Sequence, residues 1–312
     1  MYTALDMRYF FRLLSESYII VMTAALLLGL FLPAASYLIP WNTLILQAIF
    51  FLSCLKIDIT QVSSSLKDWK FLMLANVVML IGFPVAVWLL INPIAPDMGL
   101  ALFLLAAMPV GMTAPLLVEV VGGKQTIAMV LTITTSLLAP ITIPLLTKTL
   151  YGASISVDAL GMFKQLALVI FLPFIIAMIV RKAMPKIIAT TKLMTKPISI
   201  ILLGLLIAGA VAKQSDQILS LSQDWWKLLI AIASLYLFFL ALHIVGYVIF
   251  WWKKHDDKST ASVSLTYMNF TLAIFLASKF FPKPEILLPL VLSILPWTTL
   301  LPFWKRISDR FK

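Results

Sequence analysis

Long runs without charge divide this chain. Residues 17–55, 71–96, 98–118, 125–147, 228–252, 259–278 and 286–304 hold no Asp, Glu, Lys or Arg. Two shorter runs, 165–180 and 197–212, are flanked by Lys or Arg that can snorkel to an interface. A bilayer core takes about 20 apolar residues per helix, so each run predicts a membrane span. The first is long enough for two, with Pro40-Trp41-Asn42 as the expected turn between them. Ten spans follow, near 17–39, 43–62, 70–92, 98–120, 125–148, 160–182, 194–212, 226–252, 259–281 and 285–304. The links between them are short. The pattern predicts an all-α integral membrane protein.

The chain also repeats itself at an offset of 157 residues. Lys56, Ser63, Ser65, Trp69, Lys70 and Leu72 meet Lys213, Ser220, Ser222, Trp226, Lys227 and Leu229 at that offset. Further on, Ser136, Thr142 and Lys148 meet Ser293, Thr299 and Lys305. Lys and Trp are scarce here, so their matches carry the signal, and fixed-period similarity marks duplicated structure. The offset predicts two halves, 1–155 and 156–312, of five spans each. An odd number of spans sends the second half into the membrane from the opposite side, which makes the repeats inverted. Inverted repeats are the hallmark of secondary transporters, where they supply two states of similar energy.

Composition narrows this further. Hydrophobic residues make up 62% and charged residues 12%, far from the balance of a soluble domain. The net charge of +11 does not call for a nucleic-acid partner, because its distribution is that of a membrane protein. With both termini inside, the inner segments hold 18 of the 24 Lys and Arg residues and the outer loops 6, the positive-inside asymmetry. The cluster Arg181, Lys182, Lys186, Lys192 and Lys196 then faces anionic lipid. This predicts a multi-pass protein of the cell (inner) membrane with cytoplasmic termini. A single cysteine, Cys54, leaves no internal disulfide and no cysteine cluster for a metal.

Candidate sites lie where spans break, because unwound backbone offers carbonyls and amides at membrane depth. Span 4 contains Met108-Pro109-Val110-Gly111-Met112-Thr113-Ala114-Pro115, with Pro109, Gly111 and Pro115 as the predicted breakers. At the repeat offset this run aligns with Leu265-Thr266-Tyr267-Met268-Asn269-Phe270 of span 9, where Met112 aligns with Asn269. An amide in the middle of an uncharged span is costly unless it has work to do. Span 5 adds Thr132, Thr134, Thr135 and Ser136, hydroxyls that either line a site or bond back to their own helix. His243, in mid-span 8, reads as a hydrogen-bonded packing residue, and Glu119 as interfacial.

These segments resemble the bile acid:sodium symporter family. Ala107–Lys148 is similar to that family's helices 4 and 5, Phe51–Lys70 to its helix 2 and following loop, and Met268-Asn269-Phe270-Thr271-Leu272-Ala273 to its helix 9 break. The resemblance implies a panel of helices 1, 2, 6 and 7, and a core of helices 3–5 and 8–10 whose broken helices 4 and 9 cross. It implies inward transport of small organic anions with sodium, the substrate lying between panel and core beside the crossing. Position by position the ion ligands thin out. The family's sodium-binding Ser and Asn of helix 4 fall on Ala114 and Pro115, and a Ser of helix 5 falls on Ala128. Thr132 keeps its hydroxyl, while the family's Glu and Gln of helix 9 fall on Ser264 and Met268. Sodium prefers oxygen ligands, and no carboxylate remains to offset its charge.

The expectation is therefore a carrier of a small organic anion, working by alternating access. Met112, Thr113, Thr266 and Asn269 are the expected substrate contacts, with Asn269 facing Thr113 across the crossing. Thr132, Ser264 and Met268 are the sodium-site positions by resemblance, with sodium, a proton or nothing as the coupled ion. An auxin-carrier-like protein or a non-transporting membrane sensor are the alternatives. No HExxH, GxSxG or phosphate-binding glycine loop points to an enzyme, and Gly122-Gly123-Lys124 reads as the turn between spans 4 and 5.

Overall fold

The structure is a computed structural model that describes residues 18–55, 68–184, 194–213, 215–222 and 225–311. Of the sequence features above, Lys56, Ser63, Ser65, Lys186 and Lys192 lie outside the described residues. The described chain is helical throughout, with no strand among the described residues. Six of its helices are long and apolar enough to cross a bilayer, and Pro96–Ala107, Pro197–Ala212 and Phe270–Phe280 are shorter apolar helices. This is an all-helical integral membrane protein.

The first helix, α1, is Tyr18–Phe31. The turn expected at Pro40-Trp41-Asn42 is not there. The chain breaks earlier, at Leu32 (φ −118°, ψ 87°), and is helical again from Pro33. It runs as a tight 3₁₀ segment to Trp41 and then as α2, Asn42–Cys54. Proline suits that first helical position, because no N–H is needed there and its φ is already helical. Next comes α3, Trp69–Ile91, whose stretch Val78–Gly82 is π-helical. That wider turn sits just before Pro84, whose missing N–H breaks the regular ladder.

Two short helices follow α3. Helix α4, Pro96–Ala107, and α5, Ala114–Val120, are separated by a non-helical link. Helix α6, Gln125–Tyr151, passes through Pro140 and Pro144 without interruption. Then follow α7 (Ala159–Ala183), α8 (Thr195–Ala212), the short α9 (Ser215–Ser222) and α10 (Trp225–Val248). Helix α11, His255–Thr266, and α12, Phe270–Phe280, are again separated by a short link. The last, α13, is Pro284–Ser308.

These helices form two compact units, neither of which is one half of the sequence. The first takes Met1–Ile57 and Ala167–Gln223, and the second takes Asp58–Leu166 and Asp224–Lys312. In the first, α8 packs along α1, the 3₁₀ segment and α2. Backbones come close there: a Cβ on Gly29 would stand 2.8 Å from the carbonyl oxygen of Ala208 and from Val211 Cβ. Lipid tails are as apolar as the helices, so close van der Waals packing of this kind has to hold them together. The second unit holds the two interrupted helices. Its core includes Phe103, Leu104, Leu105, Leu131, Phe239, Leu272, Phe275 and Leu287, all essentially inaccessible.

Candidate functional site

Both helix breaks lie in the second unit, and they meet. Met108 is extended (φ −70°, ψ 147°), the conformation a following proline imposes, so α4 stops there. Pro109-Val110-Gly111 then runs antiparallel to Tyr267-Met268-Asn269, with Val110 and Met268 bridged. Gly111 donates its N–H to the Tyr267 carbonyl at 2.8 Å, and Asn269 donates its N–H to the Pro109 carbonyl, also at 2.8 Å. Val110 donates to Thr135 Oγ1 on α6 at 3.1 Å. Each of these groups would otherwise be a buried orphan costing about 1–3 kcal/mol. The approach is close enough to require glycine, because a Cβ on Gly111 would fall 2.6 Å from the Tyr267 oxygen.

The pairing differs by one residue from the alignment offset. Gly111 and Asn269 play the same part, each giving its N–H to the opposite carbonyl, whereas the offset equates Met112 with Asn269. Thr113 lies beyond the paired segment, exposed, as the residue that precedes α5. Met112 is half-buried beside Gly111. Pro115 does not kink a continuous helix. It stands in the first turn of α5, where an N–H is not needed.

Asn269 caps α12: its Oδ1 accepts the Leu272 N–H at 3.1 Å. That fixes the amide's orientation and leaves its Nδ2 without a bond to any described residue. Thr266 is turned away from the crossing in its bonding, since its hydroxyl donates to the Ser262 carbonyl at 2.8 Å and the residue is fully buried. Thr271, two residues after Asn269 in the first turn of α12, is buried too, with a hydroxyl that bonds no described residue. No charged residue lies in 108–113 or 267–269. The local field is that of helix ends: α4 and α11 finish here, α5 and α12 begin here.

At the positions equated with sodium ligands, apolar groups dominate. Ala114, Pro115 and Ala128 are buried, and Met268 is buried and bridged. Thr132 donates its hydroxyl to the Ala128 carbonyl at 2.9 Å, within its own helix. Thr134 and Thr135 likewise bond to Leu131, at 3.3 Å and 2.6 Å. Ser136 Oγ and Ser264 Oγ are buried without a partner among the described residues. The hydroxyl face of α6 thus divides: most of it serves the helix, Thr135 also serves the break, and Ser136 is left over. Two hydroxyl oxygens and the backbone make a thin ligand set for a hard cation.

The turn between α5 and α6 is tied to the start of α11. Lys124 donates its backbone N–H to Thr260 Oγ1 at 2.7 Å. Its ammonium is 2.7 Å from Asp257 Oδ1 and 3.4 Å from Asp256 Oδ2. Burial works to lower the Lys124 pKa, but the hydrogen bond and charge of Asp257, joined by those of Asp256, outweigh it and hold it above the usual 10.5. Lys253 pairs with Asp68 on the same unit. Glu119 is exposed. His243 is fully buried on α10, within hydrogen-bond reach of Ser262 and stacked on Trp304.

The paired breaks complete each other's hydrogen bonds inside an apolar helical unit of a membrane protein. The sequence profile of the SBF-like CPA transporter family (DUF4137) matches residues 16–297, and the chain belongs to that family. It is 26% identical over 237 residues to the probable sodium/metabolite cotransporter BASS2, chloroplastic, of Oryza sativa subsp. japonica, a match covering 73% of this chain and 54% of the rice protein. It is 30% identical over 142 residues to sodium/bile acid cotransporter 7-A of Xenopus laevis, covering 44% and 41% of the two chains. The same segment length is 29% identical to sodium/bile acid cotransporter 7 of Danio rerio. The chain thus spans about half the length of the curated relatives it matches.

Proposed function

We propose that this protein is a secondary transporter that binds a small organic anion at the crossing and moves it by alternating access. The observation that carries this is the crossing itself: two interrupted helices whose breaks are bonded to one another. The N-terminus of α12 points its partial positive charge there, and the Asn269 Nδ2 is a donor still to be used. Asn269 and Thr113 are the polar contacts for the anion, with Met112 as apolar lining and Thr266 holding the end of α11. The relatives, named as cotransporters of a metabolite or of bile acid, support the substrate class.

The same reading takes the chain as ten spans in two inverted halves, 1–155 and 156–312, with both termini on the cytoplasmic side of the inner membrane. Supporting it are the two interrupted helices, one in each half, and the reciprocal bonds between them. The two compact units support a panel and a core, because each draws helices from both halves. Sodium, if coupled, has Thr132, Ser264 and backbone carbonyls around Met268 as its ligands. The thin ligand set favours a carrier coupled to a proton or to nothing.

The test is thermal stability of the detergent-purified protein with a panel of bile salts, steroid sulfates and small carboxylates. A ligand of the folded state stabilises by RT ln(1 + [L]/Kd). Asn269→Ala should abolish that stabilisation while the protein still folds, and an unchanged shift removes Asn269 from the site. Sodium against choline at equal ionic strength settles coupling: a sodium-specific rise removed by Thr132→Ala or Ser264→Ala shows an ion site at those positions.

A further inference from the structure

Behind the second break lies a set of buried polar atoms with complementary needs. Ser262 Oγ on α11 touches His243 twice: it donates to the His243 backbone carbonyl at 2.8 Å and lies 3.2 Å from Nδ1. A serine hydroxyl has one proton, and here the carbonyl takes it. The ring contact can therefore run only one way, with Nδ1–H donating to Oγ. In a neutral imidazole that leaves Nε2 bare, an acceptor. Nε2 is buried with no partner among the described residues, and the residue is 0% exposed.

Two donors on rings packed against His243 are in the same position. Trp304 of α13 stacks on the His243 ring at 4.8 Å and 17°, and its Nε1–H is buried without an acceptor among the described residues. Tyr267, in the break, meets the ring edge-on at 5.5 Å, and its hydroxyl is also buried without a partner among the described residues. Buried polar groups of this kind are rarely left unbonded, and water is what bonds them when protein does not.

We propose that His243, held as its Nδ1–H tautomer, binds one water molecule together with Tyr267 and Trp304, and through it positions the second break. The water accepts from Trp304 Nε1–H and Tyr267 Oη–H and donates to His243 Nε2. The donor set selects it. An anion would face the Nε2 lone pair and a cation the Trp304 N–H, whereas a small neutral hydroxylic molecule satisfies all three. The ring's neighbours add no charge: Ser262 from α11, Tyr267 from the break and Trp304 from α13 are neutral. Tyr267 carries the site to the crossing, because its carbonyl accepts the Gly111 N–H. His243 is thus a positioning residue that touches no substrate.

The chain has only two histidines, so protein labelled with ¹⁵N-histidine in nanodiscs shows two imidazoles, and His255→Asn assigns them. At neutral pH, His243 should be Nδ1-protonated with an unprotonated, hydrogen-bonded Nε2, the reverse of the tautomer free histidine favours. Magnetisation from water should reach Nε2, and Tyr267→Phe should weaken that transfer several-fold without changing the tautomer. An Nε2–H tautomer overturns the assignment, and a bare Nε2 silent to water overturns the bound molecule. For positioning, His243→Asn keeps a donor near Nδ1 and removes the acceptor. Amide exchange at Gly111 should then speed up several-fold, and an unchanged rate overturns the positioning role.

Discussion

Helices α4 and α11 perform the same structural task with opposite chemistry. Each runs into the crossing and stops there, and each buries nine residues. In α4 these are Gly99 to Ala107, all apolar or glycine. In α11 they include Asp257, Ser259, Thr260, Ser262, Ser264 and Thr266, six polar residues. Burial and breakage therefore do not require polarity, since α4 achieves both without it. The hydroxyls of α11 do something the fold alone does not ask for. Two of them serve neighbours, Thr260 receiving the Lys124 turn and Ser262 fixing His243 of α10, while Ser259 lies 3.3 Å from His255 Nε2 in its own helix. Of these hydroxyls Ser264, at the position the family resemblance gives to a Glu, is left without a partner among the described residues.

Substitutions can break or sharpen this contrast. The largest effect is expected where the two regions meet. Gly111→Val forces atoms into the Tyr267 carbonyl and removes the paired bonds, costing about 3 kcal/mol or more. The variant should melt at clearly lower temperature in detergent and lose ligand stabilisation. A wild-type melting point would mean the close approach is not real. Next is Ser262→Ala, which orphans the ring N–H and removes a second donor from a carbonyl already inside α10, at about 1–3 kcal/mol. The same assay on Leu104→Ala in α4 gives the apolar counterpart, a cavity cost of about 2–5 kcal/mol. Comparable losses from the two would show that α11's polar bonds hold it as firmly as α4's packing holds α4.

Lys124→Met should cost about 1 kcal/mol, below the usual range for a charged hydrogen bond because the Lys124 side chain is 38% exposed. Its pH dependence has a definite sign. The folded pKa lies above 10.5, so the pair's contribution is complete below 10.5 and is lost as pH rises through the folded value. Wild type should therefore lose stability above that pH more steeply than Lys124→Met, read as melting temperature between pH 9 and 11.5. The smallest effect belongs to Ser264→Ala. Removing an unbonded buried hydroxyl should change stability by no more than about 0.5 kcal/mol, or raise it slightly. A large loss would reveal a bound partner at Ser264.

Much of the helix plan was legible in the sequence, because charge-free runs bounded by Lys and Arg mark spans directly. The breaks at Pro109–Gly111 and before Asn269 were legible too, since proline, glycine and a lone amide all speak against a continuous apolar helix. What sequence could not show was how the breaks pair. Alignment offset counts residues along the chain, whereas the pairing is set by which carbonyl each N–H reaches, one residue away. The first turn was misplaced for a related reason: both Pro33 and Pro40 can start a helix, and only packing against α8 selects Pro33. Tyr267 and Ser262 gave no signal, because tyrosine and serine are unremarkable in such company until their partners are known. The Thr132–Ser136 run was visible, but not that Thr135 serves the break.

The reciprocal bonds at the crossing also bear on how the protein is made. Pro109 and Gly111 enter the membrane long before Tyr267 and Asn269 have been synthesised. Until then the first break has no partner for its carbonyl and N–H, in a medium that offers none. The nascent first half must wait, shielded by the insertion machinery or held near the water boundary, for a segment more than 150 residues downstream. Neither half can finish its own interior by itself, so the crossing makes completion of the chain a condition of completion of the fold.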